Sequence, residues 1–215
     1  MKIFILIVLI SLTLGGCSIV AKTPEPSWVS LRKDGDIEIR SYDPMILAEV
    51  TKKGERYDAI NAGFRTLAPY IFGENQGNKK MVMTAPVTEQ QIPQENEGQK
   101  LAMTAPVTQQ PTDTDGEWKV SFVMPSEYTL DTLPIPNDKQ IKFVNIPSHQ
   151  KAVIRFTGFN TDKNLKEHHD KIVNWMIKNK IKASGKPVYA FYNPPWTPFF
   201  LKRNEIMFDI GANKE

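Results

Sequence analysis

The stretch Lys80-Met-Val-Met-Thr-Ala-Pro-Val87 returns twenty positions later as Lys100-Leu-Ala-Met-Thr-Ala-Pro-Val107. The six residues MTAPVT are identical in the two copies, and a polar loop with Pro and Gly separates them. A solenoid would need several more copies of such a repeat, so the pair predicts two neighbouring strands, over residues 81–87 and 101–107, joined by that loop. Proline has no amide proton for a sheet hydrogen bond, so Pro86 and Pro106 each require a sheet edge, a bulge or a strand end.

The residues before the repeat predict a hairpin, a strand and a helix. Residues 28–31 and 37–39 alternate apolar and polar side chains on either side of Asp34-Gly35, a pattern typical of a β-hairpin, and residues 46–50 continue as a third strand. From Glu55 the period changes to that of a helix, which Gly73 would end. The residues of its apolar stripe are Ile60, Phe64, Leu67 and Ile71.

The residues after the repeat predict five more strands and a second helix. The strands cover residues 118–124, 141–146 and 152–156, and then 188–192 and 205–210 after the helix. Asp162 is the expected N-cap of this helix, whose apolar face carries Leu165, Ile172 and Met176. The chain thus contains two similar series of strands, and each series includes one helix. This arrangement predicts an α+β fold, in which two helices pack against an antiparallel sheet.

The N-terminus is typical of a bacterial lipoprotein precursor. An apolar run follows Met1-Lys2, is shorter than the roughly 20 residues of a membrane-spanning helix, and ends at Leu14-Gly15-Gly16-Cys17. This tetrad resembles a lipobox, so we expect residues 1–16 to be a cleaved signal peptide and Cys17 to be acylated. Residues 17–26 would then form a lipidated tether to a domain over residues 27–213. Ser18 after the cysteine favours the outer membrane, facing the periplasm.

The composition excludes several other classes of function. The net charge is only +3 and no basic run stands out, which argues against a nucleic-acid partner. Cys17 is the single cysteine, so a lipidated chain has no thiol for a disulfide or a nucleophile. The sequence contains no motif typical of a catalytic site. Three acidic residues on predicted strands have no evident partner: Glu38, Glu49 and Glu205. Glu38 alternates with apolar neighbours, as a residue that faces solvent does. The sequence therefore predicts a protein that is not an enzyme.

The paired MTAPV sequences resemble the SOUL heme-binding protein family. The segments 37–42 (IEIRSY), 152–158 (AVIRFTG) and 192–206 (YNPPWTPFFLKRNEI) resemble the same family. The resemblance implies duplicated β-α-β-β halves that form a distorted antiparallel β-barrel flanked by two helices. It also implies heme or another tetrapyrrole, reversibly bound in an apolar surface groove.

Residues on the first helix and on the loop at 194–200 are candidates for that groove. The loop is stiffened by three prolines and carries aromatic side chains that suit a flat apolar ligand. The groove candidates are Ile60, Phe64, Leu67, Trp196, Phe199 and Phe200; Arg56 and Arg203 are candidates for propionate contacts. Ser41 stands where some family members have a proposed histidine ligand, so no metal ligand carries over, and His169 is a weak candidate, more simply a packed core residue.

The sequence thus predicts a lipid-anchored envelope protein that binds heme or a related tetrapyrrole by apolar enclosure. Two alternatives stay open. One is a binder of another hydrophobic or amphiphilic molecule, such as a lipid or a quinone, and the other is a structural envelope protein that acts through protein contacts.

Overall fold

A computed structural model describes residues 23–77 and 98–211 of the chain. The predicted signal peptide, Cys17 and the first MTAPV copy lie outside these ranges. Within these ranges, two helices, α1 (Arg56–Ile71) and α2 (Asp162–Lys178), are joined by strands and one 3₁₀ turn (Phe199–Leu201). The strands are β1 (Trp28–Asp34), β2 (Ile37–Tyr42), β3 (Met45–Lys53), β4 (Asn75–Gln76), β5 (Val107–Pro111), β6 (Glu117–Val123), β7 (Ile135–Pro136), β8 (Lys142–Ile146), β9 (His149–Phe156), β10 (Val188–Phe191) and β11 (Asn204–Ile210).

Nine strands form one antiparallel sheet in the order β1-β2-β9-β11-β10-β5-β6-β3-β8. The order is that of a duplication: β3-α1-β5-β6 and β9-α2-β10-β11 are equivalent units that meet where β5 pairs with β10. The strand before each unit pairs with the other unit, since β2 lies beside β9 and β8 lies beside β3. The sheet is strongly curled into a half-barrel. Together with the two helices and the repeated order of elements, it confirms the predicted α+β class and the duplicated halves.

Two local predictions are wrong. Residues 101–106 are not a strand, and β5 begins only at Val107. The amides of Leu101 and Ala105 instead donate to the carbonyls of Ile71 and Pro24, outside the sheet ladder. The N-cap of α2 is Thr161 rather than Asp162, because the Thr161 side chain accepts a hydrogen bond from the Asn164 amide.

Each helix covers its own hydrophobic cluster on one face of the sheet. The α1 residues Leu67 and Ile71 pack with Val50, Val120 and Phe122 of β3 and β6. Gly63 lets this helix approach closely, because a Cβ at that position would come within 2.8 Å of all three Val120 side-chain carbons.

The second cluster lies under α2. Leu165, Ile172 and Met176 of the helix pack with Ile154 of β9 and Ile206 of β11. Successive side chains of a strand point to opposite faces, so a third, smaller cluster lies on the face away from the helices, around Tyr42, Val153, Ala190 and Met207.

Candidate functional site

The two central strands, β5 and β10, lie between the helices. Val107 of β5 packs against the α1 cluster, whereas Phe191 of β10 packs against the α2 cluster. These two residues are direct partners in the sheet, as are Gln109 and Tyr189 next to them. We call these four residues the seam. Val107, Tyr189 and Phe191 remain partly exposed, so the seam is an apolar floor that the helices leave open.

The predicted α1 residues border the seam to different degrees. Phe64 is 38% exposed and its ring packs edge-on against Phe122, the sheet partner of Val107. Ile60 is half-buried against the same cluster. Leu67, the third predicted groove residue of this helix, is completely buried in the core.

A cavity of about 350 Å³ lies at the Tyr189 end of the seam. This volume is within the range of small-molecule sites, which is roughly 300–1,000 Å³. Its lining comes from both helices and from β10, so the cavity exists only because the two halves meet. The lining residues are Arg56, Asp162, Leu165, Lys166, His169, Asp170 and Tyr189.

Arg56 joins the two helices at this cavity and keeps one donor free. Its Nε atom lies 2.8 Å from a carboxylate oxygen of Asp162, and its Nη2 donates to the carbonyl of Asn160 at 2.7 Å. Its Nη1 is buried and has no hydrogen-bond partner, and the Oε1 of the fully buried Gln109 is likewise without one. A buried polar atom without a partner costs free energy, so these two atoms are a local cost to stability beside the contact between the helices.

The histidines of α2 have different surroundings. His169 lines the cavity, where its Nδ1 lies 3.2 Å from a carboxylate oxygen of Asp170, and it is only half-buried. His168 is the packed histidine, stacked on Phe156 with ring centroids 4.0 Å apart. Across the residues that the structure describes, no group of three or more His, Cys, Asp or Glu side chains could hold a metal ion.

The loop that follows β10 presents aromatic side chains to solvent. We call residues 194–202 the aromatic loop. Trp196 is 83% exposed, and Phe199, Phe200 and Leu201 are each more than half exposed. The loop is held at its base, because the Gly158 amide donates to the Phe199 carbonyl and the Lys202 ammonium donates to the Pro195 carbonyl.

The aromatic loop begins just beyond the Phe191 end of the seam. Phe191, at the end of β10, connects the floor to the loop, and Phe159 packs against Phe199 with ring centroids 5.8 Å apart. Neither Trp196 nor Phe200 lines the cavity beside Arg56. Of the predicted site residues, Arg56 and His169 are brought together in that cavity.

The opposite face of the sheet holds a buried charged cluster that the sequence did not reveal. Arg40 of β2 donates to a carboxylate oxygen of Glu205 of β11 at 3.0 Å and to Glu38 at 2.7 Å. Arg203 pairs with the same Glu205 at 2.9 Å, and Tyr192 donates to it at 2.7 Å. Arg203, a predicted propionate contact, is therefore bonded within this cluster. Glu38, expected to face solvent, is half-buried.

The electrostatics of this cluster favour its charged arginines and its neutral tyrosines. Burial is the largest single influence on the Arg40 pKa and lowers it, but the surrounding groups, Glu205 first among them, together outweigh burial, and the pKa is raised above its usual value. The pKa of Arg203 is raised for the same reason. Burial raises the pKa of Tyr42 to about 12 and that of Tyr192 well above its ordinary value.

A second cavity, of about 500 Å³, lies on the far side of the α1 half. Its walls are the segment 24–27, the β2–β3 turn and residues 123–130, with Met45, Met124 and Tyr128 among its apolar lining. No helix within the described ranges 23–77 and 98–211 is long and apolar enough to cross a membrane.

The model of the SOUL heme-binding protein family matches this chain over residues 23–97 and 90–209. The chain belongs to the SOUL heme-binding protein family. Heme-binding protein 1 of Xenopus laevis is 28% identical over 178 residues, which cover 82% of this chain and 85% of the relative. Heme-binding protein 2 of Homo sapiens is 27% identical over 184 residues, covering 84% and 80% of the two chains.

Solved structures share the fold at much lower sequence identity. The EcmrR C-terminal domain superimposes with a TM-score of 0.58 at 11% identity, over 82% of this chain and 97% of that one. A hydrolase from Listeria innocua gives a TM-score of 0.51 at 11% identity, over 89% and 94%. At such identities the likeness shows the architecture of this SOUL protein and not its activity.

Proposed function

We propose that this protein is a lipid-anchored, non-catalytic binding protein of the bacterial envelope that holds heme or a related tetrapyrrole reversibly in the seam. The observation that carries the proposal is the partly exposed Val107–Phe191 pair, which forms an apolar floor between the two helices. That floor is bordered by Phe64 and leads to a cavity that is lined by Arg56. The two relatives named for heme binding support the same ligand class.

The residues of the seam fit the chemistry of an amphiphilic tetrapyrrole. The macrocycle is flat and apolar, and Val107, Phe191 and Phe64 would hold it by contact area. Its carboxylates need cations, and the Arg56 guanidinium, which lines the cavity, would supply a positive charge to attract one of them. Heme would bring an iron centre, and His169 is the side chain of this cavity that could ligate it. Binding as proposed depends on apolar contact and carboxylate recognition and does not require that ligand.

The lipid anchor is part of the proposal and rests on the Leu14-Gly15-Gly16-Cys17 motif. Several acyl chains on one residue give a stable anchor, whereas a single chain would hold only marginally. Ser18 after the cysteine favours the outer membrane, so the domain would face the periplasm. Intact-mass analysis of the purified protein tests this part: acylation adds the mass of the acyl groups to a chain that begins at Cys17. An unmodified cysteine or a retained signal peptide contradicts it.

A second candidate ligand is another amphiphile, such as a lipid or a quinone. The larger cavity favours this candidate, because Met45, Met124 and Tyr128 are among its lining residues. A ligand there would not contact Phe64 or Arg56, so the two candidates predict different sensitive residues.

The test is an absorbance titration with hemin of the chain from Ser18 onward, beside Phe64→Ala and Phe72→Ala. Phe72 is a matched control, since it is an exposed phenylalanine at the C-terminal end of the same helix. We expect a saturable one-to-one shift whose Kd rises about tenfold in Phe64→Ala, equivalent to about 1.4 kcal/mol, and is unchanged in Phe72→Ala. A linear, unsaturable response, or equal affinity in all three proteins, contradicts binding in the seam.

A further inference from the structure

The aromatic loop exposes apolar side chains that the proposed ligand site in the seam does not use. Phe199, Phe200 and Leu201 are more than half exposed on consecutive positions, Trp196 projects from the same loop, and the exposed Phe159 packs beside them. Contiguous exposed apolar side chains of this size mark an interaction surface with a protein or a membrane. The loop is also preorganised, because three prolines restrict its backbone and hydrogen bonds fix its base.

The N-terminal segment of the domain is fixed beside this loop. Both carboxylate oxygens of Glu25 accept hydrogen bonds from Arg203, the residue that directly follows the loop, at 3.0 and 2.8 Å. The Pro24 carbonyl accepts a further hydrogen bond from the Ala105 amide. The chain therefore joins the domain at the end where the exposed aromatic residues lie.

The length of the chain between this point and Cys17 limits how far the loop can be from a bilayer. Cys17 precedes Glu25 by eight positions, and a fully extended chain spans at most about 3.5 Å per residue. An acylated Cys17 would thus keep Glu25 within about 28 Å of the lipid surface, however the tether is arranged. The tether therefore keeps the end of the molecule that carries the loop within reach of the bilayer.

We infer that the aromatic loop is a docking surface for the lipid bilayer to which Cys17 is attached. The inference rests on the proposed lipid anchor. Tryptophan prefers the membrane–water interface, while Phe199, Phe200 and Leu201 would insert at the boundary of the acyl chains. The ammonium of Lys202 lies among these rings, 5.6 Å from the Phe159 centroid, and would meet the lipid phosphates.

Docking would also orient the ligand site. Phe191 ends β10 just before the loop begins, so the Phe191 end of the seam lies next to the docking surface and the Arg56 cavity lies towards its other end. An amphiphilic ligand could then pass between the bilayer and the seam without crossing bulk water.

The test uses the full chain expressed with its own signal, purified from membranes and reconstituted into phosphatidylethanolamine–phosphatidylglycerol vesicles with brominated acyl chains. Bromine quenches tryptophan fluorescence at short range, and the chain has four tryptophans, of which Trp196 is by far the most exposed. We expect partial quenching in the wild-type protein and at least a fivefold smaller effect in Trp196→Phe. Trp175→Phe is the control. Trp175 lies on α2, away from the loop, and its indole N–H donates a hydrogen bond to Asp34, so this variant should keep the quenching.

Equal quenching in Trp196→Phe and the wild-type protein, or no quenching in either, overturns the docking surface. Vesicle flotation and the intact mass separate this result from a failure of the anchor. A protein that is acylated and floats but is not quenched contradicts docking alone. A protein that is neither acylated nor associated with vesicles contradicts both. Hemin titration of the same vesicles reports on the ligand site independently.

Discussion

Arg40 and Glu205 lie 165 positions apart in the chain and form a buried ion pair, with Nη1 of the guanidinium 3.0 Å from Oε2 of the carboxylate. They are on β2 and β11, the two strands that flank β9. Glu205 is completely buried and Arg40 is 3% exposed. The pair therefore joins an early strand to the last strand of the domain on the face opposite the helices.

Removal of the Glu205 carboxylate should destabilise the fold strongly. In Glu205→Ala the Arg40 and Arg203 guanidiniums lose a shared buried partner, and we expect a loss of about 3–5 kcal/mol in the free energy of unfolding. Urea denaturation measures this change. Asp170→Ala, which removes an exposed ion pair with Lys166, is the control and should leave the free energy of unfolding nearly unchanged. A loss in Glu205→Ala no larger than in the control would show that the buried pair does not stabilise the fold.

The stability of the domain should fall in alkaline solution, partly because of Tyr42. Burial raises the pKa of Tyr42 to about 12 in the folded chain, whereas an unfolded tyrosine has a pKa of about 10. Between these values the unfolded state has released the proton and the folded state has not, so stability is complete below pH 10 and is lost as the pH rises to 12. A two-unit difference corresponds to about 2 to 3 kcal/mol.

Urea denaturation of Tyr42→Phe between pH 8 and pH 12 checks this prediction. The variant should lose less stability over the interval than the wild-type protein. Tyr57→Phe, which changes an exposed tyrosine, should follow the wild-type curve. Parallel curves for Tyr42→Phe and the wild-type protein would mean that Tyr42 does not carry the alkaline loss.

Gly63→Ala should destabilise the contact between α1 and β6. Its Cβ would lie 2.5 Å from the Val120 Cβ, closer than packed carbons approach, so the helix must move. Overpacking of this kind costs about 1–3 kcal/mol, which more than cancels the helix-propensity gain of alanine over glycine. Thermal unfolding of Gly63→Ala beside the wild-type protein measures the change. An equal or higher melting temperature in Gly63→Ala would contradict the close approach.

Arg56 should recognise the carboxylates of the ligand and not its macrocycle. We expect Arg56→Ala to raise the Kd for hemin about tenfold, equivalent to about 1.4 kcal/mol, and to leave the affinity for a porphyrin dimethyl ester unchanged. Arg65→Ala, an exposed arginine on the same helix, is the control in both titrations. An equal loss for hemin and the ester would mean that Arg56 acts only by holding the helices together through Asp162.

Hydrophobic periodicity was sufficient to predict most elements of the fold. The stripe from Ile60 to Ile71 predicts α1, and the Asp34-Gly35 turn, with Gly35 at φ 61°, closes the predicted β1–β2 hairpin. The prediction of a strand failed at residues 101–106. Alternating apolar residues are also compatible with an irregular segment whose backbone hydrogen bonds go to groups outside the sheet. The sequence was also misleading at Asp162, since Thr161 is an equally good cap one position earlier.

The candidate site could be predicted only in part, because it is formed by pairing between distant strands. Phe64, Arg56 and His169 have recognisable residue types, and two of them do line one cavity. Val107 and Phe191 are ordinary strand residues whose importance comes from their pairing across 84 positions. Glu205 appeared to be a lone acid because its partner Arg40 lies near the other end of the domain.

The most direct measurement of the central proposal is an amide NMR spectrum of the chain from Ser18 onward with one equivalent of hemin. The iron of hemin is paramagnetic, so a sample with diamagnetic zinc protoporphyrin serves as the reference. A tetrapyrrole in the seam should selectively broaden the amides of Phe64, Val107 and Phe191 in the hemin sample. Broadening centred on Tyr128 would place the ligand in the larger cavity, and uniform or absent broadening would show that no specific site exists; either result would contradict the seam as the binding site.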